Sequence, residues 1–375
     1  MNPTSKTIHH VDATRGSTKP HFRQMGSESL STYLKCVLVS VTIAVTACSN
    51  SGPQQTGTSP LAPSSATSAV PALGLIVFSR SPDSSRTTAA LFVSNADGSN
   101  ARQLTRPPAA AQDDEPDWAP DGSHIVFTRC LPTYCRLLMV GADGTNLTPL
   151  TQDCGSGPVP STCEQGNSAS FSPDGRFIAY GWASGNVVDD EIEHSQVYVM
   201  NADGTGKHAV TNFAPPYSGD AGGPHWSPDG KQLAFNRSNA GPTQPTGGRA
   251  LFIVNVDGSG LRQLTPWALG AGGQADWSAA SNLIAFRAVN DEELGIGNFY
   301  TIHPDGTSVA QVTHFTGITI SYKVSFSPDG KRFIFARHTG VEPSALFTIG
   351  IDGKNLQRVG NSPESDTAPD WFLRP

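Results

Sequence analysis

The chain has 375 residues and a formal net charge of −7, with charged residues at 15%, 38 glycines and 29 prolines. That length allows two ordinary domains or one large repeat array, and the composition suits many short strands joined by turns. No basic stripe stands out, so the electrostatic footprint of nucleic-acid binding is missing. The acidic balance also argues against docking on anionic lipid through surface charge.

Near the N-terminus, Cys36 to Ala47 form the apolar run CVLVSVTIAVTA, preceded by Lys35 and followed by Cys48. About twelve residues are too few for a bilayer span, which takes roughly twenty, but they suit a signal-peptide core. Val45-Thr-Ala-Cys48 resembles the bacterial lipobox, which implies that Cys48 is diacylated and becomes the mature N-terminus. The alternative is an ordinary cleavage site that precedes a cysteine. Met25 would give a more usual n-region than Met1. With Ser49 after the cysteine, the resemblance implies sorting to the outer membrane in a two-membrane host, and to the outer face of the plasma membrane otherwise. From Ser49 to Ala72 the chain is Ser, Thr, Pro, Gly and Gln with few large apolar groups, which makes a flexible tether. The expected organisation is signal peptide 1–47, lipid-anchored tether 48–72 and folded domain 73–375.

The folded part is built from one repeat, seen most fully in Trp226-Ser-Pro-Asp-Gly230, the strand ending at Phe235, Leu251–Asn255, the turn at Asp257-Gly258 and Leu264-Thr265. Earlier copies run from Leu75, from Asp114 and from Phe171. Later copies run from Trp277, which has lost the Pro-Asp-Gly, and from Phe326. Short apolar runs bounded by Asp-Gly turns carry the hairpin signature. Four such strands at a period of about fifty residues point to propeller blades. The first copy lacks its opening aromatic strand, and Ala368-Pro-Asp-Trp371 matches Glu115-Pro-Asp-Trp118. The predicted fold is therefore all-β, a six-bladed propeller of four-stranded antiparallel blades, closed by a C-terminal strand that completes blade 1. Such closure removes the open sheet edge.

Pro-x-Trp-Ser-Pro-Asp-Gly with Asn-Ala-Asp-Gly and Leu-Thr resembles the TolB-type, WD40-like propeller repeat over residues 73–375. TolB carries a separate α/β domain before its propeller. Here a signal and tether occupy that space, so the resemblance covers the propeller alone. Prolyl-peptidase-like enzymes carry similar propellers beside a hydrolase domain, for which the sequence shows no counterpart.

With strands a to d counted outwards from the axis, the a–b and c–d turns lie on one face and are short. The b–c loops and blade connections lie on the other and are variable, where function concentrates. The candidates on that loop face are Asp189, Asp190, Glu191, Glu193, His194, Asp291, Glu292 and Glu293. The a-strand starts should line the channel mouth there: Asp113, Asp114, Glu115, Asn167, Ser168, Gln274, Tyr322, Lys323 and Asp366, with Gly223 and Ala368 in equivalent places. Such a ring could bind a small ligand, a cation or a peptide terminus, or simply hold water.

The Asp-Gly turns lack the spaced acidic ligands, final Glu and flanking helices of a calcium loop, and read as hairpin turns. The acidic run from Asp189 reads as a solvated loop able to hold a divalent cation only weakly; no other cofactor is implied. Of the cysteines, Cys130 with Cys135 and Cys154 with Cys163 are expected to pair, each closing a local loop in an oxidising compartment. A zinc site is the alternative, at a poor spacing. No nucleophile elbow is present. The histidines share no repeated spacing, although the resemblance extends to oligogalacturonate lyases that hold a metal with several histidines. Trp118, Phe171, Trp226, Trp277, Phe326 and Trp371 read as blade-packing core.

Together these features point to a non-catalytic, monomeric envelope lipoprotein, held to the membrane by its lipid alone, that binds a protein or peptide on its loop-rich face. The alternative is a carbohydrate-active or other metal-dependent enzyme working at the channel mouth.

Overall fold

The computed structural model describes residues 74–82, 87–155, 163–186, 191–213, 221–239, 248–291, 296–316, 319–338 and 343–372. The chain divides into two units, Met1–Ala66 and Thr67–Pro375, and every described residue belongs to the second. The signal-like run, Cys48 and the tether lie outside the described residues.

The strands run in groups that match the repeat. The first is β1 (Leu75–Ser81), β2 (Ala90–Asn95) and β3 (Arg102–Gln103). Then come β4 (Gln112–Trp118), β5 (His124–Cys130), β6 (Cys135–Gly141) and β7 (Thr148–Pro149). The third group is β8 (Gln165–Phe171), β9 (Phe177–Asn186), β10 (Glu191–Asn201) and β11 (His208–Ala209). The fourth is β12 (Ala221–Trp226), β13 (Gln232–Ser238), β14 (Arg249–Asn255) and β15 (Arg262–Gln263). The fifth is β16 (Ala271–Ser278), β17 (Leu283–Asp291), β18 (Ile296–Ile302) and β19 (Ala310–Gln311). The last is β20 (Thr319–Phe326), β21 (Arg332–His338), β22 (Ala345–Gly350) and β23 (Gln357–Val359), and after it comes β24 (Ser365–Phe372).

Each group forms an antiparallel four-stranded sheet in chain order, and two bridges, Gln274 to Lys323 in parallel and Ile296 to Thr319 antiparallel, link the last two groups. The first sheet is the exception in origin, because its innermost strand is β24, with Trp371 opposite Ile76 and Asp370 opposite Val77.

The repeat signatures have local causes. In Ser172-Pro-Asp-Gly175 the Ser172 hydroxyl donates to Asp174 Oδ1 at 2.6 Å and accepts from Phe177 N–H at 2.9 Å. Gly175 closes that turn at φ +69°, a conformation few side chains tolerate. The threonine of each Leu-Thr ending ties the outer strand inwards. Thr105, Thr151, Thr211, Thr265 and Thr313 accept from the N–H of Leu91, Leu137, Val197, Leu251 and Phe299, all buried. Leaving such a buried N–H unpaired would cost about 1–3 kcal/mol.

The core lies between consecutive sheets. The central strands are buried along nearly their whole length, as in β5 and β14, because both of their faces are covered. One cluster joins Val77, Leu91 and Val93 of the first sheet to Trp118, Ile125 and Phe127 of the second. Another joins Ile334, Ala336 and Leu346 of the last sheet to Ile76, Phe78 and Trp371 of the first. The outermost strands are two or three residues long and mostly exposed, a length too short to template pairing with another chain.

Both expected disulfides are formed, Cys130–Cys135 across the β5–β6 hairpin and Cys154–Cys163 in the connection to β8.

Candidate functional site

The innermost strands β4, β8, β12, β16, β20 and β24 each break register partway along. The break falls at the position three residues before the aromatic: Glu115, Ser168, Gly223 and Ala368 have φ of +52°, +50°, +59° and +46°. An extra residue of this kind is a bulge, which bends the strand and re-aims the side chains beyond it. Each inner strand therefore has two ends of different character.

At the starting end, side chains are paired off. Asp113 and Arg129, both buried, make a two-toothed ion pair at 2.5 and 2.7 Å. Asp366 and Arg80 repeat the arrangement at 2.6 and 2.9 Å. Burial pushes the Asp366 carboxyl above its ordinary value, against the pull of Arg80. Glu115 Oε2 accepts from Ser168 N–H and Ser168 Oγ at 3.0 Å and from Thr128 Oγ1 at 3.2 Å, which ties β4 to β8. Its carboxyl is also raised, first by burial and then by Asp114, whose own Oδ1 accepts from Glu115 N–H.

Of the other expected channel residues, Gln274 is buried and Asn167 lies on β8 opposite Gly181. Tyr322 is 64% exposed, with the Arg287 guanidinium 5.1 Å from its ring centre. Lys323 is buried and reaches inwards: its Nζ donates to Pro116 O of β4 and stands 3.5 Å from Asp370 Oδ1 of β24. The starting ends thus gather Asp113, Asp114, Glu115, Asn167 and Ser168 around β4, β5 and β8, with Asp366 held separately by Arg80. On the loop face, Asp189, Asp190, Glu292 and Glu293 lie outside the described residues. So do the side chains of Glu191, Glu193 and His194 on β10 and of Asp291 on β17.

The finishing ends of the same strands surround a cavity of about 510 Å³. Its wall carries Trp118, Phe171, Trp226, Trp277, Phe326 and Trp371, one from each inner strand. All six are under 9% exposed and pack between sheets, so they are core and cavity wall at once. Prolines of the Ser-Pro-Asp-Gly turns and the exposed Ala279 and Ala280 line its rim.

The residues just before the aromatics are polar in every copy: Asp117, Ser170, His225, Asp276, Ser325 and Asp370. Several bind the neighbouring strand. Asp370 Oδ2 accepts from Trp118 N–H at 3.0 Å, Asp117 Oδ2 from Phe171 N–H at 3.3 Å and Asp276 Oδ2 from Phe326 N–H at 2.5 Å. Ser325 Oγ accepts from Trp371 N–H at 3.2 Å. His225 Nε2 lies 3.2 Å from Asp276 Oδ1. Burial raises the Asp117 carboxyl well above 3.8, and Asp370 and Asp276 add to the rise. Lys323 and the Phe171 N–H oppose it. Among the described residues, no three His, Cys, Asp or Glu side chains form a metal-holding group.

Loop variability points away from this end of the strands. The sequence nonetheless carries its signal, a polar residue before the aromatic of every repeat.

No known family profile matches the chain. An uncharacterized protein of Agrobacterium fabrum is 24% identical over 273 residues, 60% of this chain and 85% of that protein. Dipeptidyl-peptidase 5 of Porphyromonas endodontalis is 33% identical over 114 residues, 30% of this chain and 16% of the enzyme. Among solved structures, TolB from Acinetobacter baumannii superposes with a TM-score of 0.60 at 18% identity, covering 79% of this chain and 66% of that one. A structure assigned to TolB from Agrobacterium tumefaciens gives 0.54 at 17%, covering 80% and 98%. A chain of the nidogen/laminin complex gives 0.56 at 12%, covering 79% and 98%. The class is thus that of the β-propellers. Within that class the fold is TolB-like.

Proposed function

We propose that the protein is an exported lipoprotein, anchored through Cys48 and a tether over 48–72, whose propeller binds a protein or peptide of the cell envelope. The sheets are six blades of one propeller over 73–375, closed by β24; the pairing of β24 with β1 and the cluster joining last and first sheets support this. A binding role draws on the fold, which presents a rigid concave surface, and on the propeller neighbour solved as a nidogen/laminin complex. Fold alone does not assign a role.

The observation that carries the reading is the cavity at the finishing ends of the inner strands, built of aromatic walls and a polar floor. Concave sites with mostly apolar walls and a few convergent polar groups are where ligands bind. The cavity supports a binding site on the face of the Ser-Pro-Asp-Gly turns, opposite the loop-face candidates.

Site-specific photo-crosslinking in the envelope tests the reading. A photoreactive residue at Ala280, on the cavity rim, is expected to capture one reproducible partner, and the same probe at Lys207, on an outer turn, none. Capture from Glu292 alone would return the site to the loop face. Capture from neither position would sink the scaffold reading, and turnover assays on polysaccharides would be the next step.

A further inference from the structure

We propose that the cavity receives the cationic side chain, lysine or arginine, of a polypeptide partner; this rests on the binding reading above and names the chemistry of the bound group. Charge is the first reason. Asp117, Asp276 and Asp370 all line the cavity, and no described lysine or arginine does. The nearest ammonium, Lys323, is already committed to Pro116 O and to the side of Asp370 that faces away from Trp118 N–H. His225 supplies one further nitrogen, at Asp276, and its Nδ1 has no partner among the described residues. Three carboxylates against one lysine leave a site that a positive group would complete.

The walls point the same way. A cation enclosed by indole and phenyl rings is attracted by their faces as well as by the carboxylates. At about 510 Å³ the cavity falls within the range of about 300–1,000 Å³ typical of sites for small organic groups. The extent of the aromatic wall distinguishes a side chain from a bare ion: six rings would enclose the aliphatic stem of a lysine or arginine, which a metal ion lacks.

Protonation supports the geometry. Asp117 faces Asp370 of β24, Lys323 of β20, Asp276 of β16 with its neighbour His225 of β12, and the Phe171 N–H of β8. Burial first, and then Asp370 and Asp276, favour the neutral carboxyl over the pull of Lys323 and the Phe171 N–H. An incoming ammonium or guanidinium favours the carboxylate, so binding expels a proton and tightens as pH rises.

The test is selection of random displayed peptides on the full chain in detergent micelles, beside Asp117→Asn and Asp370→Asn. At Asp117, asparagine keeps an oxygen for Phe171 N–H and removes the charge; at Asp370 it keeps one for Trp118 N–H and also gives up the carboxylate beside Lys323. A blocked tripeptide, acetyl-Gly-Lys-Gly-amide, and its glutamate and norleucine counterparts provide a second probe, read by the fluorescence of the cavity tryptophans. Enrichment of lysine or arginine, with affinity falling about ten-fold or more in either variant, is the expected result. Affinity of the lysine probe should also rise with pH in the unmodified chain, a readout that survives a misfolded variant. Peptides that bind this cavity without a basic residue, or a lysine response flat or falling with pH, would overturn the inference and leave the scaffold standing. A basic preference unchanged in both variants would overturn its location. If the unmodified chain selects nothing, the binding reading fails and this inference with it.

Discussion

The two ends of the inner strands are made from the same residue types and put them to opposite use. At the starting end, Asp113 and Asp366 each have a guanidinium of their own. At the finishing end, Lys323 stands beside Asp370 and acts on Asp117, His225 stands beside Asp276, and all three carboxylates line an open cavity. A paired carboxylate is a structural element, since removing either partner strands a buried charge. A carboxylate held without a full counter-charge costs stability, and such uncompensated groups gather where a ligand completes them. The bulge between the two ends lets one strand serve both purposes, because it changes the direction in which side chains point.

Breaking the paired end should have the largest effect. Asp113→Ala leaves Arg129 buried at 4% exposure with no carboxylate, and a loss of about 3–5 kcal/mol is expected in denaturant unfolding. A loss under about 1 kcal/mol would erase the distinction between the ends.

Asp117→Asn should act in the other direction. The Asp117 carboxyl is raised in the folded protein, so the folded state holds its proton more tightly than the unfolded chain. Stability therefore falls as pH rises from the ordinary value of 3.8 towards the folded one. At neutral pH the neutral amide avoids this cost, and a gain of about 1 kcal/mol is expected. Glu115→Gln should give a smaller gain of the same sign, since Ser168 and Thr128 already offset its burial.

The turn carboxylates bound the scale from below. Asp174, held below its ordinary value first by the Ser172 hydroxyl and then by Arg176 N–H, is exposed. Asp174→Asn should leave the melting temperature at neutral pH nearly unchanged. Its contribution, with those of Asp121, Asp229 and Asp329, is present above 3.8 and lost as pH falls through the lowered values. Acid unfolding monitored by circular dichroism should show the difference between variant and parent only there.

The sequence made the scaffold legible because each blade repeats a turn whose chemistry is local. Ser172, Asp174 and Gly175 form their turn from contacts within a few residues, and the Leu-Thr ending from a hydroxyl fourteen residues away. The two disulfides were readable for the same reason, each closing a short loop. The cavity was harder to see, since its residues meet only through the arrangement of the sheets, with Asp117 and Asp370 far apart in the sequence. The aromatics drew attention as core, which they are, and their second role as cavity wall depends on the strand ends that converge beside them. Lys323 shows the limit of placing residues by strand position alone: it starts at the loop end, yet its long stem carries the ammonium to Pro116 and Asp370.

The most direct measurement compares the melting temperature of the parent and Asp117→Asn across about pH 5–9, without any ligand. If the cavity floor holds a carboxylate at a cost, the variant melts higher at the alkaline end, by about 2 °C or more, and the gap closes as pH falls. A variant that melts lower throughout, or a gap that does not change with pH, would show that Asp117 is an ordinary structural carboxylate and that the two strand ends do not differ in kind.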